Sequence, residues 1–197
     1  MMTHPPTPDH LGDPNNEVPV LNFPNVLTVA RLFMVPIFGY LVLAIEQPDS
    51  AQWASAAVFL IAALTDFVDG VWARRYGLVT NFGKIADPIA DKALIGTALL
   101  ALSIQGEIAW WVTGIIIFRE VAITLMRFWV IKQGVIPASR GGKVKTVSQI
   151  IAIFAFLIPL SGWVDAVAQM SLGVALALTI TTGIDYVIKA QVLPRSK

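Results

Sequence analysis

The feature that most constrains this chain is a set of four aspartates at the ends of two apolar segments. The stretch runs from Thr65 to Leu94 and reads TDFVDGVWARRYGLVTNFGKIADPIADKAL. Its carboxylates belong to Asp66, Asp69, Asp87 and Asp91. One aspartate within a membrane helix costs about 2.5 to 3.5 kcal/mol on insertion scales, so four of them need compensation. A divalent cation is the simplest group that supplies it.

The spacing of the aspartates predicts that they share one binding point. The first pair is three residues apart and the second pair is four apart, so each pair lies on one face of its helix. Hard oxygen ligands of this kind suit magnesium or manganese, and they do not suit zinc. A second interpretation treats the aspartates as helix-end charges that reach water or pair with nearby basic residues. Those basic residues are Arg74, Arg75 and Lys84.

The composition limits the class of protein and the chemistry. Of the 197 residues, 56% are hydrophobic and only 14% are charged, and the mean hydropathy is +0.70, which indicates a polytopic membrane protein. Cysteine is absent, which excludes disulfides, thiolate nucleophiles and cysteine-ligated metals. The only histidines are His4 and His10, near the N-terminus. A general base in the apolar part must therefore be a carboxylate, a lysine or a tyrosine.

The chain is predicted to hold one membrane domain between two tails. Residues 1–20 are rich in proline and polar residues, so we expect a disordered tail, and they lack the pattern of a signal peptide. A short interfacial segment, Asn22 to Arg31, leads into the first span, with Asn22 as N-cap and Pro24 in the first turn. The domain covers residues 21–190, and residues 191–197 form a short basic tail.

Hydropathy predicts an all-α fold with six transmembrane helices. The predicted spans are 26–45, 52–71, 88–105, 109–131, 146–161 and 166–188. Three alternate breaks between them contain no Lys or Arg, whereas the other breaks and the C-terminal end hold most of the basic residues. By the positive-inside rule, both termini and the aspartate-rich end face the cytoplasm of a multi-pass cell-membrane protein.

The aspartate stretch resembles the signature of the CDP-alcohol phosphotransferase family. That signature is D-x-x-D-G-x-x-A-R, then eight residues, then G-x-x-x-D-x-x-x-D, and the chain matches it throughout. Its fixed positions here are Asp66, Asp69, Gly70, Ala73, Arg74, Gly83, Asp87 and Asp91. The resemblance extends over roughly residues 22 to 189 and is less specific outside the signature.

The resemblance implies which residues bind the donor substrate, CDP-diacylglycerol. The chemistry of Arg74 supports this assignment independently, because a guanidinium group matches the oxygens of a diphosphate. Small residues in the signature also let a ligand or a backbone approach closely. The expected donor-binding residues are Asn25, Thr28, Gly70, Ala73, Arg74, Thr80 and Gly83.

Other roles for some of these residues stay open at this point. Ala73 also suits close helix packing, and Thr80 also suits an ordinary loop position. Asn25 and Thr28 can satisfy each other or nearby backbone groups. Arg31, on the same helical face, can anchor its helix at the inner leaflet.

Two later stretches, FREVAITLMR and SRGGKVKT, resemble those of bacterial phosphatidylglycerophosphate synthases within the family. Arg119 and Glu120 are adjacent near the middle of the fourth span, so their side chains point about 100° apart and we expect their partners on other helices. The basic residues of the second stretch have an alternative interpretation, in which they form a cytoplasmic loop that follows the positive-inside rule and binds no ligand. The expected ligands of the acceptor's phosphate are Arg119, Arg140, Lys143 and Lys145.

The resemblance implies transfer of the phosphatidyl group from CDP-diacylglycerol to sn-glycerol 3-phosphate, giving phosphatidylglycerophosphate and CMP. The four aspartates hold one or two Mg²⁺ or Mn²⁺ ions, with two expected, and Asp91 takes the proton of the acceptor hydroxyl. Direct displacement and a homodimer within the lipid membrane are also implied, with no role for nucleic acid.

Two alternatives remain. In the first alternative the protein performs the same family chemistry with another acceptor, either phosphatidylglycerol, as in a cardiolipin synthase, or inositol phosphate. In the second and more distant alternative the protein is a magnesium transporter whose pore is lined by the aspartates, although here the aspartates cluster at the cytoplasmic end of the predicted spans.

Overall fold

The computed structural model describes residues 22–44, 49–76, 80–130 and 140–192. Within these ranges the regular structure is entirely α-helical, which confirms the all-α part of the predicted fold class. The helices are α1 (Phe23–Leu43), α2 (Asp49–Tyr76), α3 (Asn81–Ile104), α4 (Trp110–Val130), α5 (Arg140–Leu157) and α6 (Trp163–Val192). The predicted N-terminal tail, and the C-terminal tail from residue 193, lie outside the described residues.

Helix α1 begins where the sequence predicts. Asn22 is its N-cap, and the Asn22 side chain accepts a hydrogen bond from the backbone N–H of Asn25 at 3.0 Å. Pro24 lies in the first turn, where a missing N–H costs nothing. The helix then continues without a break to Leu43, although Pro36 lies inside it. The segment expected to lead into the first span is therefore the beginning of α1 itself.

Helices α3 and α5 begin earlier than the hydrophobic spans that predict them. Thr80 caps α3, because its Oγ accepts the backbone N–H of Gly83 at 3.0 Å. Gly83, which precedes the predicted span 88–105, is therefore in the first turn of a helix. In the same way α5 begins at Arg140, which places Lys143 on a helix instead of in a loop. Hydropathy misses both first turns because they are polar.

Helices α1, α2 and α3 pack against one another, and α5 packs along α6. At the centre of the first group the rings of Phe38 and Phe59 are tilted against each other, with centroids 5.6 Å apart. Both side chains are fully buried, as is Leu99 of α3. Buried alanines such as Ala62 and Ala98 let the helix backbones come close, a mode of packing common in membranes. This packing brings the polar ends of α1, α2 and α3 together.

Within the part of the chain that the structure describes, three helices are long and apolar enough to cross a membrane. They are Phe23–Leu43, Asp49–Gly70 and Trp163–Tyr186. In α3, α4 and α5 the charged residues are placed so that no membrane-spanning length of helix is free of them, which is why length and composition alone do not select these helices. Large apolar side chains such as Phe67 and Phe118 are 70% and 76% exposed on the outside of the bundle, as suits contact with lipid.

Candidate active site

The first two aspartates of the signature are bridged by Arg31. Its side chain is fully buried, and the Nη1 and Nη2 groups donate to Asp66 at 2.6 Å and to Asp69 at 2.5 Å. The Nε group donates to the backbone carbonyl of Ala62 at 3.1 Å. A planar guanidinium group is suited to such a bridge because its donors point in fixed directions. Arg31 therefore connects α1 to the aspartate end of α2.

The third aspartate is tied to α1 by a neutral residue. The hydroxyl of Thr28 donates to Asp87 at 2.5 Å, and the same oxygen lies 3.1 Å from the Pro24 carbonyl. One turn earlier, the amide of Asn25 bonds the hydroxyl of Thr80. Thr28 is fully buried, and Asn25 and Thr80 are nearly so. These three predicted donor-binding residues are thus brought together at the junction of α1 and α3.

Gly83 lies within this junction, and its lack of a side chain has a structural reason. A Cβ at this position would lie 2.9 Å from Oδ1 of Asn25 and 3.3 Å from Oγ1 of Thr80. Carbon atoms do not approach oxygen so closely, so the Asn25–Thr80 pair would have to move. The close approach expected from the sequence is therefore between protein groups, beside Asp87.

The fourth aspartate joins the carboxylates to a second cluster, which is cationic. Lys92 contacts Asp91 at 3.1 Å and reaches Glu120 of α4 at 2.7 Å. The carboxylate of Glu120 also bonds Lys145 of α5, and it bonds Arg119 at 3.0 Å. We call Lys92, Arg119, Glu120 and Lys145 the Glu120 cluster. It links α3, α4 and α5 immediately beside the aspartates.

The expectation that Arg119 and Glu120 do not pair is wrong. Their Cα–Cβ directions diverge, but the long arginine side chain turns back beyond Cβ and its Nη1 reaches the glutamate. The second half of the expectation is confirmed, since both residues also have partners on other helices. Arg119 donates to the Thr182 hydroxyl of α6 at 2.7 Å, and Glu120 binds the two lysines.

A cleft of about 550 Å³ lies over the meeting point of the aspartates and the Glu120 cluster. Asp66 and Asp91 line one part of it, and the four residues of the Glu120 cluster line another. Lys143, a predicted acceptor ligand, is exposed and also lines the cleft. Two of the four predicted aspartates and three of the four predicted acceptor residues therefore line one cavity.

The donor chemistry of the site fits a divalent cation. Asp66 lies near enough to the other three aspartates for their negative charges to act on it. Within the described residues, Arg31 and Lys92 form ion pairs with these aspartates, and Lys92 is shared with Glu120. Among these described side chains negative charge therefore remains in excess, in oxygen ligands of the type magnesium prefers.

The aspartates are not gathered around a single point. Across residues 22–44, 49–76, 80–130 and 140–192, no three His, Cys, Asp or Glu side chains are close enough to hold one ion as they stand. Arg31 draws Asp66 and Asp69 towards α1, while Lys92 draws Asp91 towards α4. The site of four aspartates stays a prediction, which requires these side chains to change rotamer.

Three predicted residues have no described side chain, namely Ala73 and Arg74 near the end of α2 and Arg140 at the start of α5. Gly70 is described in α2 beside Asp69. Sequence reasoning gave no role to Lys92. Two features of the sequence could have indicated a role for it. Lys92 is adjacent to Asp91, and Glu120, a buried carboxylate of α4, needs a cationic partner on another helix.

Comparison with known proteins agrees with the signature. The chain matches the CDP-alcohol phosphatidyltransferase family over residues 21–181. It is 46% identical over 175 residues to a protein of Mycobacterium tuberculosis named probable phosphatidylglycerophosphate synthase, with 87% of this chain and 82% of the relative covered. It is 40% identical over 185 residues to the CDP-diacylglycerol–glycerol-3-phosphate 3-phosphatidyltransferase of Bacillus subtilis, covering 86% of this chain and 95% of the relative. This chain therefore belongs to the CDP-alcohol phosphatidyltransferase family.

Proposed function

We propose that this protein transfers the phosphatidyl group of CDP-diacylglycerol to sn-glycerol 3-phosphate, releasing CMP. Relatives covering most of the chain carry the name of this reaction. The observation that supports it most is the meeting of two opposite charge clusters in one cleft, at the neighbouring residues Asp91 and Lys92. A diphosphate donor and a phosphate-bearing acceptor need such a pair of sites side by side.

The donor occupies the aspartate side of the cleft. Asn25, Thr28 and Thr80 form a buried polar group beside Asp87, and we assign the cytidine end of the donor to this region. Arg74 supplies a guanidinium group for the diphosphate. Asp66, Asp69, Asp87 and Asp91 would hold one or two divalent ions, Mg²⁺ or Mn²⁺, and this family generally uses such a metal. When bound, the metal neutralises charge on the diphosphate and on the departing CMP.

The acceptor occupies the cationic side. Arg119 and Lys145 of the Glu120 cluster, with Lys143 and Arg140, bind its phosphate through charge-assisted hydrogen bonds. This places the free primary hydroxyl towards Asp91, which takes its proton. The hydroxyl oxygen bonds to the phosphorus that carries diacylglycerol, and the bond from that phosphorus to the CMP oxygen breaks. Direct displacement of this kind needs no covalent enzyme intermediate.

The proposal includes a membrane arrangement. Residues 21–190 form one domain whose six helices all cross the membrane of the cell, with the aspartate end facing the cytoplasm and a homodimer as the assembly. Charged α3, α4 and α5 are stable in such a bundle because their charges pair with one another inside it. Glycerol 3-phosphate and CMP then exchange with water, while both lipids stay in the bilayer.

An assay of the purified full-length chain in detergent with Mg²⁺ tests the proposal. CDP-diacylglycerol and labelled sn-glycerol 3-phosphate should give labelled phosphatidylglycerophosphate and an equal amount of CMP. Asp91→Asn should lower the rate of formation of both products by about 100-fold or more. Asp165→Asn, at an exposed aspartate beyond the far end of α5, should keep the wild-type rate. Faster transfer to phosphatidylglycerol or inositol phosphate would assign a different acceptor. Absence of CMP release with every acceptor would refute transferase function.

A further inference from the structure

Gln149 of α5 is a buried polar residue that has no role in the reaction as proposed above. It is only 2% exposed, and its Nε2 group has no hydrogen-bond partner within the described residues. Buried donors in folded proteins nearly always have a partner, so an unpaired one needs an explanation. One explanation is a ligand that the free protein lacks.

The position of Gln149 relates this amide to the active site. It follows Lys145 by four residues, so both side chains lie on the same face of α5. Gln149 lines a small cavity of about 50 Å³, together with Asp91, Lys92 and Glu120. This cavity and the large cleft share five lining residues, which are Asp91, Lys92, Glu120, Lys145 and Thr146. The unpaired amide thus lies beside both the proposed base and a proposed phosphate ligand.

One polar group of the acceptor still lacks a proposed protein partner and is available to bind this amide. Resting on the proposed function, the phosphate goes to the cations, and the attacking primary hydroxyl goes to Asp91. The secondary hydroxyl of glycerol 3-phosphate lies between these two ends of the molecule. A hydroxyl both donates and accepts, so it can satisfy either polar atom of a glutamine amide. We propose that Gln149 binds this secondary hydroxyl and thereby selects glycerol 3-phosphate among small phosphate-bearing alcohols.

Two acceptors that differ in this one group test the proposal. 3-Hydroxypropyl phosphate keeps the phosphate and the primary hydroxyl and lacks the secondary hydroxyl. The wild-type chain should prefer glycerol 3-phosphate by roughly 10- to 100-fold in kcat/KM, since a buried donor gains its partner only with this substrate. In Gln149→Met, which keeps the side-chain length and removes the amide, this ratio should fall to about 1. The ratio is measured within one preparation, so the amount of folded enzyme cancels.

Gln105→Met is the matched control, because the Gln105 amide has a protein partner, the Val42 carbonyl at 2.7 Å, and lies at the C-terminal end of α3. It should lower the Tm in detergent and leave the acceptor ratio at the wild-type value. Gln149→Met should not lower the Tm, because it removes no hydrogen bond within the protein.

A wild-type chain that uses both acceptors equally well would overturn the proposal. It would also be overturned if Gln149→Met kept the wild-type ratio, as expected for an amide satisfied by water, or if it lost activity equally with both acceptors, as expected for a phosphate ligand. In each case an active wild-type enzyme leaves the proposed function standing. A wild-type enzyme that transfers to neither phosphate but does transfer to another alcohol would refute both.

Discussion

Replacing Arg31 by methionine should destabilise the protein strongly, and the structure sets the size of the effect. The fully buried guanidinium group makes three bonds, of which the Asp69 pair is the most protected, since the Asp69 side chain is only 4% exposed. Removing one partner of a buried ion pair costs about 3 to 5 kcal/mol, because the other charge stays buried and unpaired. The Asp66 side chain is 40% exposed, so its pair adds little. We therefore expect a loss of about 3 to 4 kcal/mol in the free energy of unfolding.

Thermal unfolding in detergent, with a chelator present so that no divalent ion replaces the arginine, measures this loss. For a chain of this length, 1 kcal/mol lowers the Tm by about 2 to 4 °C, so the expected decrease is about 10 °C. Lys143→Met, which removes an exposed cation from α5, should change the Tm by no more than about 2 °C.

A double-mutant cycle with Asp69→Asn separates the ion pair from simple packing. Arg31→Met leaves the buried Asp69 without its arginine, and Asp69→Asn leaves the buried Arg31 paired with the more exposed Asp66 only, whereas the double variant removes both charges of this pair. The double variant should therefore be more stable than the sum of the two losses predicts, by at least about 1 kcal/mol. If the two losses add, or if Arg31→Met lowers the Tm by less than about 3 °C, the reasoning from burial is refuted.

Three further predictions concern topology, the base and the acceptor site. Because the chain has no native cysteine, a cysteine introduced at Ser161 should react with an impermeant thiol reagent added outside intact cells, and one introduced at Gly142 should react only after permeabilisation. The reverse result contradicts a cytoplasmic active site. Asp91→Asn should lower kcat by about 100-fold or more even at saturating Mg²⁺, and a variant retaining over about a tenth of wild-type turnover is incompatible with a general base. Lys143→Ala should raise the KM for glycerol 3-phosphate by about 10-fold and leave that for CDP-diacylglycerol nearly unchanged; equal increases would assign Lys143 to the fold.

Local rules predict the parts of this structure that depend on residues near in sequence. The capping role of Asn22 is local, as is the placement of each aspartate pair on one helix. The partners of those aspartates are not local, because Arg31 and Asp69 are 38 residues apart. Helical spacing places Arg31 on the same face as Thr28, but it does not tell whether that face meets lipid or another helix. The inner-leaflet anchor considered for Arg31 is therefore wrong, since its side chain is fully buried between α1 and α2.

The charge arrangement of α4 and α5 shows a second limit of sequence reasoning. Arg119 and Lys145 appear in the sequence as cations available for an anionic ligand, but in the structure both are bound to Glu120. Lys145 is only 3% exposed, and without this carboxylate its burial would carry a large desolvation cost. Glu120 thus keeps like charges close together while no ligand is bound. A spacing argument cannot assign this role, because the three cations come from different points along the chain.

The same arrangement explains how one cleft can accept two anionic substrates and keep them distinct. In the Glu120 cluster three cations surround one carboxylate, which leaves an excess of about two positive charges, the amount that a phosphate dianion neutralises. Next to it the aspartates have the opposite excess among the described side chains, so we expect them to repel a bare phosphate and to bind the diphosphate only together with a cation. Asp91 and Lys92 are adjacent on α3, and the boundary between the two regions therefore lies at the proposed base. In the proposed reaction, an acceptor phosphate held on the cationic side would bring its far hydroxyl to that boundary, where we place the donor phosphorus.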